Sequence, residues 1–165
     1  QEIGRAYSIK VLPLESLVNS EYKYVDELIV GGAGILSDSI VKNFKIINSH
    51  PGLIPTTRGL DSFKWAIYFQ EIMGVTIHQI NAEVDLGVHI HHSKTIIYEN
   101  DNIADLAERH YRNEVNSLCE YISGTLAVKK ICDLECKESR MRMDLDKEGF
   151  ILEKFNDYKN WTLNR

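Results

Sequence analysis

Short apolar runs bounded by turn residues alternate along this chain with stretches of helical period. Ala6 to Leu12 has strand character, and Pro13 closes it. Glu27 to Val30 is a second apolar run, ended by Gly31-Gly32-Ala33-Gly34, and reads as a buried strand in a parallel sheet. Ser37 stands where it would cap a short helix, Asp38 to Asn43. Phe44 to Ile47 predicts a further strand that enters Asn48-Ser49-His50-Pro51-Gly52. Pro51 keeps His50 out of the helical region, so this segment is expected as an extended turn at a strand end. Leu60 to Ile72 has helical period, with Leu60, Phe63 and Ile67, and less regularly Trp65 and Ile72, as its apolar stripe. Gly74 to Asn81 alternates as a strand, with Val75, Ile77 and Gln79 on one face and Thr76, His78 and Ile80 on the other. Ala82 to Gly87 is a loop, and Val88 to Tyr98 a strand. Asp101 is expected to cap a long helix to about Ser123, buried through Ile103, Leu106, Ala107, Tyr111, Leu118 and Ile122 and ended by Gly124. Asp144 to Tyr158 predicts a last helix with Leu145, Leu152, Phe155 and Tyr158 inward.

Alternating short strands and helices predict an α/β sheet, whose sites form where strand ends meet loops. The 165 residues make room for one domain, and 44% apolar with 26% charged residues is the balance of an ordinary globule. A formal net charge of -5 lacks the basic footprint that nucleic acid or an anionic membrane requires. No stretch approaches ~20 apolar residues, so no membrane span is expected. Cys119, Cys132 and Cys136 are odd in number and clustered late, which suits free thiols in a reducing cytoplasm. Residues 1–125 are expected to form the core, and residues 126–165 a charged tail whose final helix packs on it. The apolar stripe from Leu145 to Tyr158 is the ground for expecting a homodimer.

Asn48 and His50, two apart in an extended segment, project to one side. An amide beside an imidazole suits acyl transfer, with the amide holding a developing oxyanion and the histidine handling protons. Asp85, in a glycine-flanked loop, is placed to orient or charge-stabilise that histidine. His78 is open between two readings, a group pointing into the site and a satisfied residue of the sheet. Arg58 is likewise open between a clamp for a substrate phosphate and a solvated turn. Gly31 to Gly34 lacks the G-x-G-x-x-G spacing of a dinucleotide fingerprint. His89 and His91 are expected to share a strand face. Without further ligands, they read as a polar face and not as a metal site. Cys132-x-x-x-Cys136 lacks metal partners, and Trp65 is expected in the core.

The order of words along the chain adds a resemblance. Asn48-Ser-His50-Pro51-Gly52-Leu53-Ile54-Pro55 is followed by Arg58-Gly59, by Trp65-Ala66-Ile67, by Gly74-Val75-Thr76-Ile77-His78 and by Glu83-Val84-Asp85-Leu86-Gly87. This series, from about Glu27 to Ile122, resembles the formyltransferases that use 10-formyltetrahydrofolate. These include the glycinamide ribonucleotide, methionyl-tRNA and sugar N-formyltransferases. The resemblance implies a Rossmann-like catalytic domain, a mostly parallel sheet flanked by helices. It implies Asn48, His50 and Asp85 as catalytic residues and 10-formyltetrahydrofolate as formyl donor, with no metal. It implies a pterin held between the loop after the Glu27–Val30 strand and the D-x-G loop, by Gly34, Ile35, Leu36, Ala82, Glu83, Val84 and Gly87. The acceptor it implies is a small-molecule amine, either a nucleotide-linked amino sugar or glycinamide ribonucleotide. The acidic chain and short tail argue against tRNA. The alternatives are a formyltetrahydrofolate hydrolase with the same site and a truncated, non-catalytic folate-binding relative. The family's first strands have no counterpart before Ala6, so the chain is expected to be less than the whole folding unit as encoded.

Overall fold

The computed structural model describes residues 6–8, 10–18, 24–32, 34, 36–81, 85 and 87–165. Its sheet contains β1 (Glu27–Val30), β2 (Lys45–His50), β3 (Gly74–Gln79) and β4 (Val88–Lys94), in the order β1-β2-β3-β4. The helices are α1 (Asp38–Asn43), α2 (Ser62–Phe69), α3 (Ile103–Ser123), α4 (Leu145–Gly149) and α5 (Ile151–Leu163). β1 runs parallel to β2, which the α1 crossover permits, whereas β2 with β3 and β3 with β4 are antiparallel. The architecture is α/β as expected. The sheet is nevertheless mixed, with one parallel pairing among the described strands where a mostly parallel sheet was expected.

Several boundaries differ from the pattern for identifiable reasons. The described residues of the Ala6–Leu12 segment form no strand. Ser8 has a left-handed backbone (φ 54°) that interrupts extended chain, and Tyr7 and Val11 are exposed. β1 is only partly buried, with Ile29 exposed. β2 runs on through His50, because its ladder with β3 pairs Asn48 with His78 and His50 with Thr76. The Asn48–His50 segment is therefore strand and not turn. α2 is shorter than its pattern, since Asp61 (φ 52°) and Gln70 (φ 52°) turn left-handed at its two ends. Leu60 consequently stands exposed outside the helix. β4 stops at Lys94, four residues before Tyr98.

α3 is capped by Asn102, whose side chain accepts from Ala104 and Asp105 N–H while Asp105 reaches back to Asn102 N–H. Asp101, the expected cap, instead holds the Arg109 guanidinium through two bonds of 2.6 and 2.7 Å. The buried face of α3 carries Leu106, His110 and Ser117, two of them polar, and Tyr111 and Ile122 are exposed. The last helix is broken at Phe150. In α5 the buried residues are Ile151, Phe155 and Tyr158, whereas Leu145 and Leu152 face solvent.

β2 and β3 are covered on both faces. Ile46, Ile47, Val75 and Ile77 are all 1% exposed or less. One face meets α3, where Ser49 Oγ donates to the Glu114 carbonyl. The other face, which carries Asn48, His50, Thr76 and His78, is covered by the loop that follows β2. Thr76 Oγ1 holds that loop by donating to the Gly52 carbonyl and accepting from Ile54 N–H. A cluster of Trp65, Ala66, Ile67, Met73, Leu106, Met143, Ile151, Phe155 and Tyr158 joins α2 to α5.

Phe155→Ala is expected to destabilise the protein by about 3–5 kcal/mol, because it empties a packed position. Leu152→Ala, at a position that is 68% exposed, should change stability by no more than about 0.5 kcal/mol. Urea unfolding of the two variants measures the contrast.

Candidate active site

His50 ends β2 and is 4% exposed. Its Nε2 lies 3.0 Å from the Thr57 carbonyl oxygen and 3.2 Å from Ser62 Oγ. A carbonyl oxygen only accepts, so Nε2 carries the proton and donates it to Thr57. Ser62 Oγ in turn donates to the Gly59 carbonyl, at 3.2 Å. The other ring nitrogen, Nδ1, faces Asp85 Oδ1 at 3.4 Å. The second carboxylate oxygen of Asp85 accepts the Gly59 N–H at 2.7 Å. Asp85 is itself in the left-handed region (φ 46°), the bend that turns its carboxylate back toward β2.

The ring is thus held edgewise between a backbone carbonyl and a carboxylate. Burial is the larger influence and pushes the His50 imidazole below its ordinary value, while the Asp85 charge opposes it. The result is a buried histidine with Nε2–H fixed and Nδ1 placed to gain or lose a proton against a carboxylate. Gly52 is part of the fit: a Cβ there would press on the Thr57 carbonyl and come within 2.9 Å of His50 Nε2.

Asn48, two residues back on the same face of β2, is half-buried. Its Nδ2 stands 3.2 Å from His78 Nε2, across the β2–β3 ladder. The amide donates and the imidazole accepts, so His78 fixes the plane of the Asn48 amide. His78 is 1% exposed, and its ring lies edge-on to that of His50 at 6.4 Å. His78 therefore sits in the sheet and also touches the site.

Of the residues expected at the pterin loops, Gly34, Leu36 and Gly87 are described. Ile35, Ala82, Glu83 and Val84 lie outside the described residues. Val30 pairs with Asn48, so the glycine loop leaves the sheet beside Asn48. Gly87 (φ 94°) lines a cleft of about 540 Å³ together with Pro55, Gln79, Ile80, Asn81, Val88, His89 and Cys136. Gly34 and Leu36 do not line that cleft.

Other sequence candidates take different places. Arg58 donates from Nη1 to the Lys137 carbonyl at 3.0 Å. Trp65 is buried and donates to the Met141 carbonyl. His89 and His91 do not share a face. The β3–β4 register slips between Ile77 and His78, so His91 pairs with Ile77 and His89 with His78, and the extra residue reverses the alternation. His89 instead meets the ring of His92 at 5.5 Å. His91 and His92 spend Nδ1 accepting from the N–H groups of Lys129 and Ile131, at 3.0 Å each. Thr57, Ser62 and the backbone of Gly59, which hold the His50–Asp85 pair, were not singled out in the sequence. A carbonyl's direction leaves no mark on residue type.

A family model described as "Formyl transferase" matches residues 19–122. The phosphoribosylglycinamide formyltransferase of Haemophilus influenzae is 34% identical over 89 residues, which is 52% of this chain and 42% of that protein. The methionyl-tRNA formyltransferase of Anaplasma marginale is 36% identical over 92 residues, which is 53% of this chain and 31% of that protein. The chain therefore spans less than half the length of these curated relatives. Among solved structures, a formyltransferase from Anoxybacillus kamchatkensis was crystallised with UDP-4,6-dideoxy-4-formamido-L-AltNAc and tetrahydrofolate. It superposes with a TM-score of 0.64 at 24% identity, covering 88% of this chain and 82% of that one.

Stability is expected to fall with pH below about 6.5, the ordinary histidine value. His50 is held below that value, and burial brings His92 and His110 down to about 4. The unfolded chain then binds more protons than the fold. Each such histidine removes up to about 1.4 kcal/mol per pH unit between its two pKa values. Urea midpoints from pH 7 to 4.5 measure the slope.

Proposed function

The chain belongs to the formyl transferase family, and we propose that it carries the site at which a formyl group passes from 10-formyltetrahydrofolate to a small-molecule amine. The observation that carries this reading is that Asn48 and His50 share one face of β2 and that Asp85 Oδ1 stands 3.4 Å from His50 Nδ1. Of the residues proposed to contact the pterin, Gly87 lines the cleft of about 540 Å³. Pro55, Ile80 and Val88 supply apolar wall, and the Gln79 and Asn81 amides supply hydrogen-bonding groups.

The donor brings a formyl group on N10, the amine forms a new bond to its carbon, the bond to N10 breaks, and the proton lost by the amine ends on N10. Asn48 donates an amide N–H to the formyl oxygen as negative charge gathers there, and His78 keeps that amide in plane. His50 takes the amine proton at Nδ1, the nitrogen that Asp85 faces, and later returns it. Asp85 stabilises the charged ring and stays fixed by the Gly59 N–H. The loop over β2 keeps water from His50, which raises the effect of each charge. Gly34, Ile35, Leu36, Ala82, Glu83, Val84 and Gly87 complete this reading as the pterin-contacting loops. The acceptor class is an amine on a nucleotide-linked sugar or on glycinamide ribonucleotide. Residues 1–125 then form the catalytic core and residues 126–165 the segment packed against it.

Asn48→Ala is expected to lower kcat by about 10²–10³-fold, the loss typical of one oxyanion donor. Asp85→Asn should also lower kcat and drop the His50 pKa further, since it removes the charge that opposes burial. The assay follows formylated amine against released tetrahydrofolate. Equal amounts support transfer. Formate released without any amine would make the site a hydrolase, and full turnover in His50→Ala would overturn the assigned roles.

A further inference from the structure

Residues 135–143 lie beyond the family match, which ends at residue 122, yet they run along the loop that holds the His50–Asp85 pair. Lys137 N–H donates to the Pro55 carbonyl, Arg140 N–H to the Arg58 carbonyl, and Leu60 N–H to the Arg140 carbonyl, at 2.9–3.0 Å. Thr56 Oγ1 donates to the Glu135 carbonyl at 2.7 Å, and Gly59 forms a parallel bridge with Arg140. Gly59 (φ 90°) admits this approach, because a Cβ there would overlap the Arg140 carbonyl.

A charge cluster around the buried Glu71 pins the seam. Glu71 is 6% exposed and takes two bonds from the Arg140 guanidinium, at 2.7 and 2.5 Å, and one from Lys137 Nζ at 2.9 Å. The same carboxylate accepts the Thr57 hydroxyl at 3.1 Å. Thr57 is the residue whose carbonyl receives His50 Nε2–H, and Gly59 is the residue whose N–H receives Asp85. Both partners of the His50–Asp85 pair are thus set by a loop that is itself fixed from the C-terminal side. The side chain of Arg140 also lies over Phe69 at 4.6 Å, so its direction is constrained by α2.

We propose that residues 135–143 form a positioning strap, in which Arg140 and Lys137, through Glu71 and the Pro55–Gly59 loop, place the Thr57 carbonyl and Gly59 amide that orient His50 and Asp85. This rests on the formyl-transfer reading for its consequence, and on geometry alone for the strap. Arg140 is a positioning residue and touches neither substrate nor donor.

The test uses the Glu71→Leu/Arg140→Met double variant, which leaves neither member of that pair buried alone, and Arg140→Lys, which keeps the charge and loses the two-bond fork to Glu71. Nitrogen-15 NMR of the His50 ring and hydrogen exchange of the Gly59 amide read the site directly. The strap predicts shifted His50 ring nitrogens and at least about tenfold faster Gly59 exchange. It also predicts that kcat falls by at least about tenfold with KM for the formyl donor within about twofold, as misplacement of reacting groups would produce. Wild-type ring signals and wild-type Gly59 exchange in a folded variant would overturn it. The NMR arm needs no turnover, so a wild-type protein that transfers no formyl group would sink the functional reading and leave this test intact.

Discussion

A buried imidazole between a carbonyl and a carboxylate is the constraint around which this molecule is arranged. At 4% exposure, His50 has little water to satisfy either ring nitrogen. The Thr57 carbonyl takes one, and Asp85 faces the other. Each partner comes from a different part of the chain, Thr57 from the loop after β2 and Asp85 from the loop between β3 and β4. The two loops must therefore be brought to one face and held there. Gly52 leaves room for the ring, Thr76 fixes the turn at Gly52 and Ile54, and the Gly59 amide anchors Asp85.

The sheet supplies the plane on which this can happen. The antiparallel pairing of β2 with β3 carries extended backbone to His50 and sets Asn48 against His78. The parallel pairing of β1 with β2 brings the glycine loop out beside Asn48. On the far face, α3 closes the core with an unusually polar contact surface. His110 there donates to the Pro51 carbonyl and accepts from Thr95, so even the residue after His50 is tied down. The α2–α5 cluster and the Glu71–Arg140 pair then fix the covering loop from outside.

Much of this was legible in the residues. The bounds of β1 and α1 follow from an apolar run and a short polar helix between turn residues. Spacing and resemblance single out Asn48, His50 and Asp85 as candidates, and the His50 and Asp85 side chains face each other. The misreadings have local causes. His110 and Ser117 sit on the buried face of α3, so an apolar stripe chose Tyr111 and Ile122 wrongly. A single extra residue in β4 reversed the faces of His89 and His91. The strap was invisible because most of its bonds are made by backbone groups, whose direction does not depend on which residue carries them. Glu71 and Arg140 carry no shared spacing that would mark them as a pair.

The most direct measurement is a calorimetric titration of the protein with a stable 10-formylfolate analogue, repeated on His50→Ala. Saturable heat with a single site in both proteins is the expected result, since the proposed reading gives donor binding to the loops around the sheet end and proton transfer to His50. No heat from either protein, with both showing a cooperative unfolding transition, would contradict a folate-dependent site on this fold.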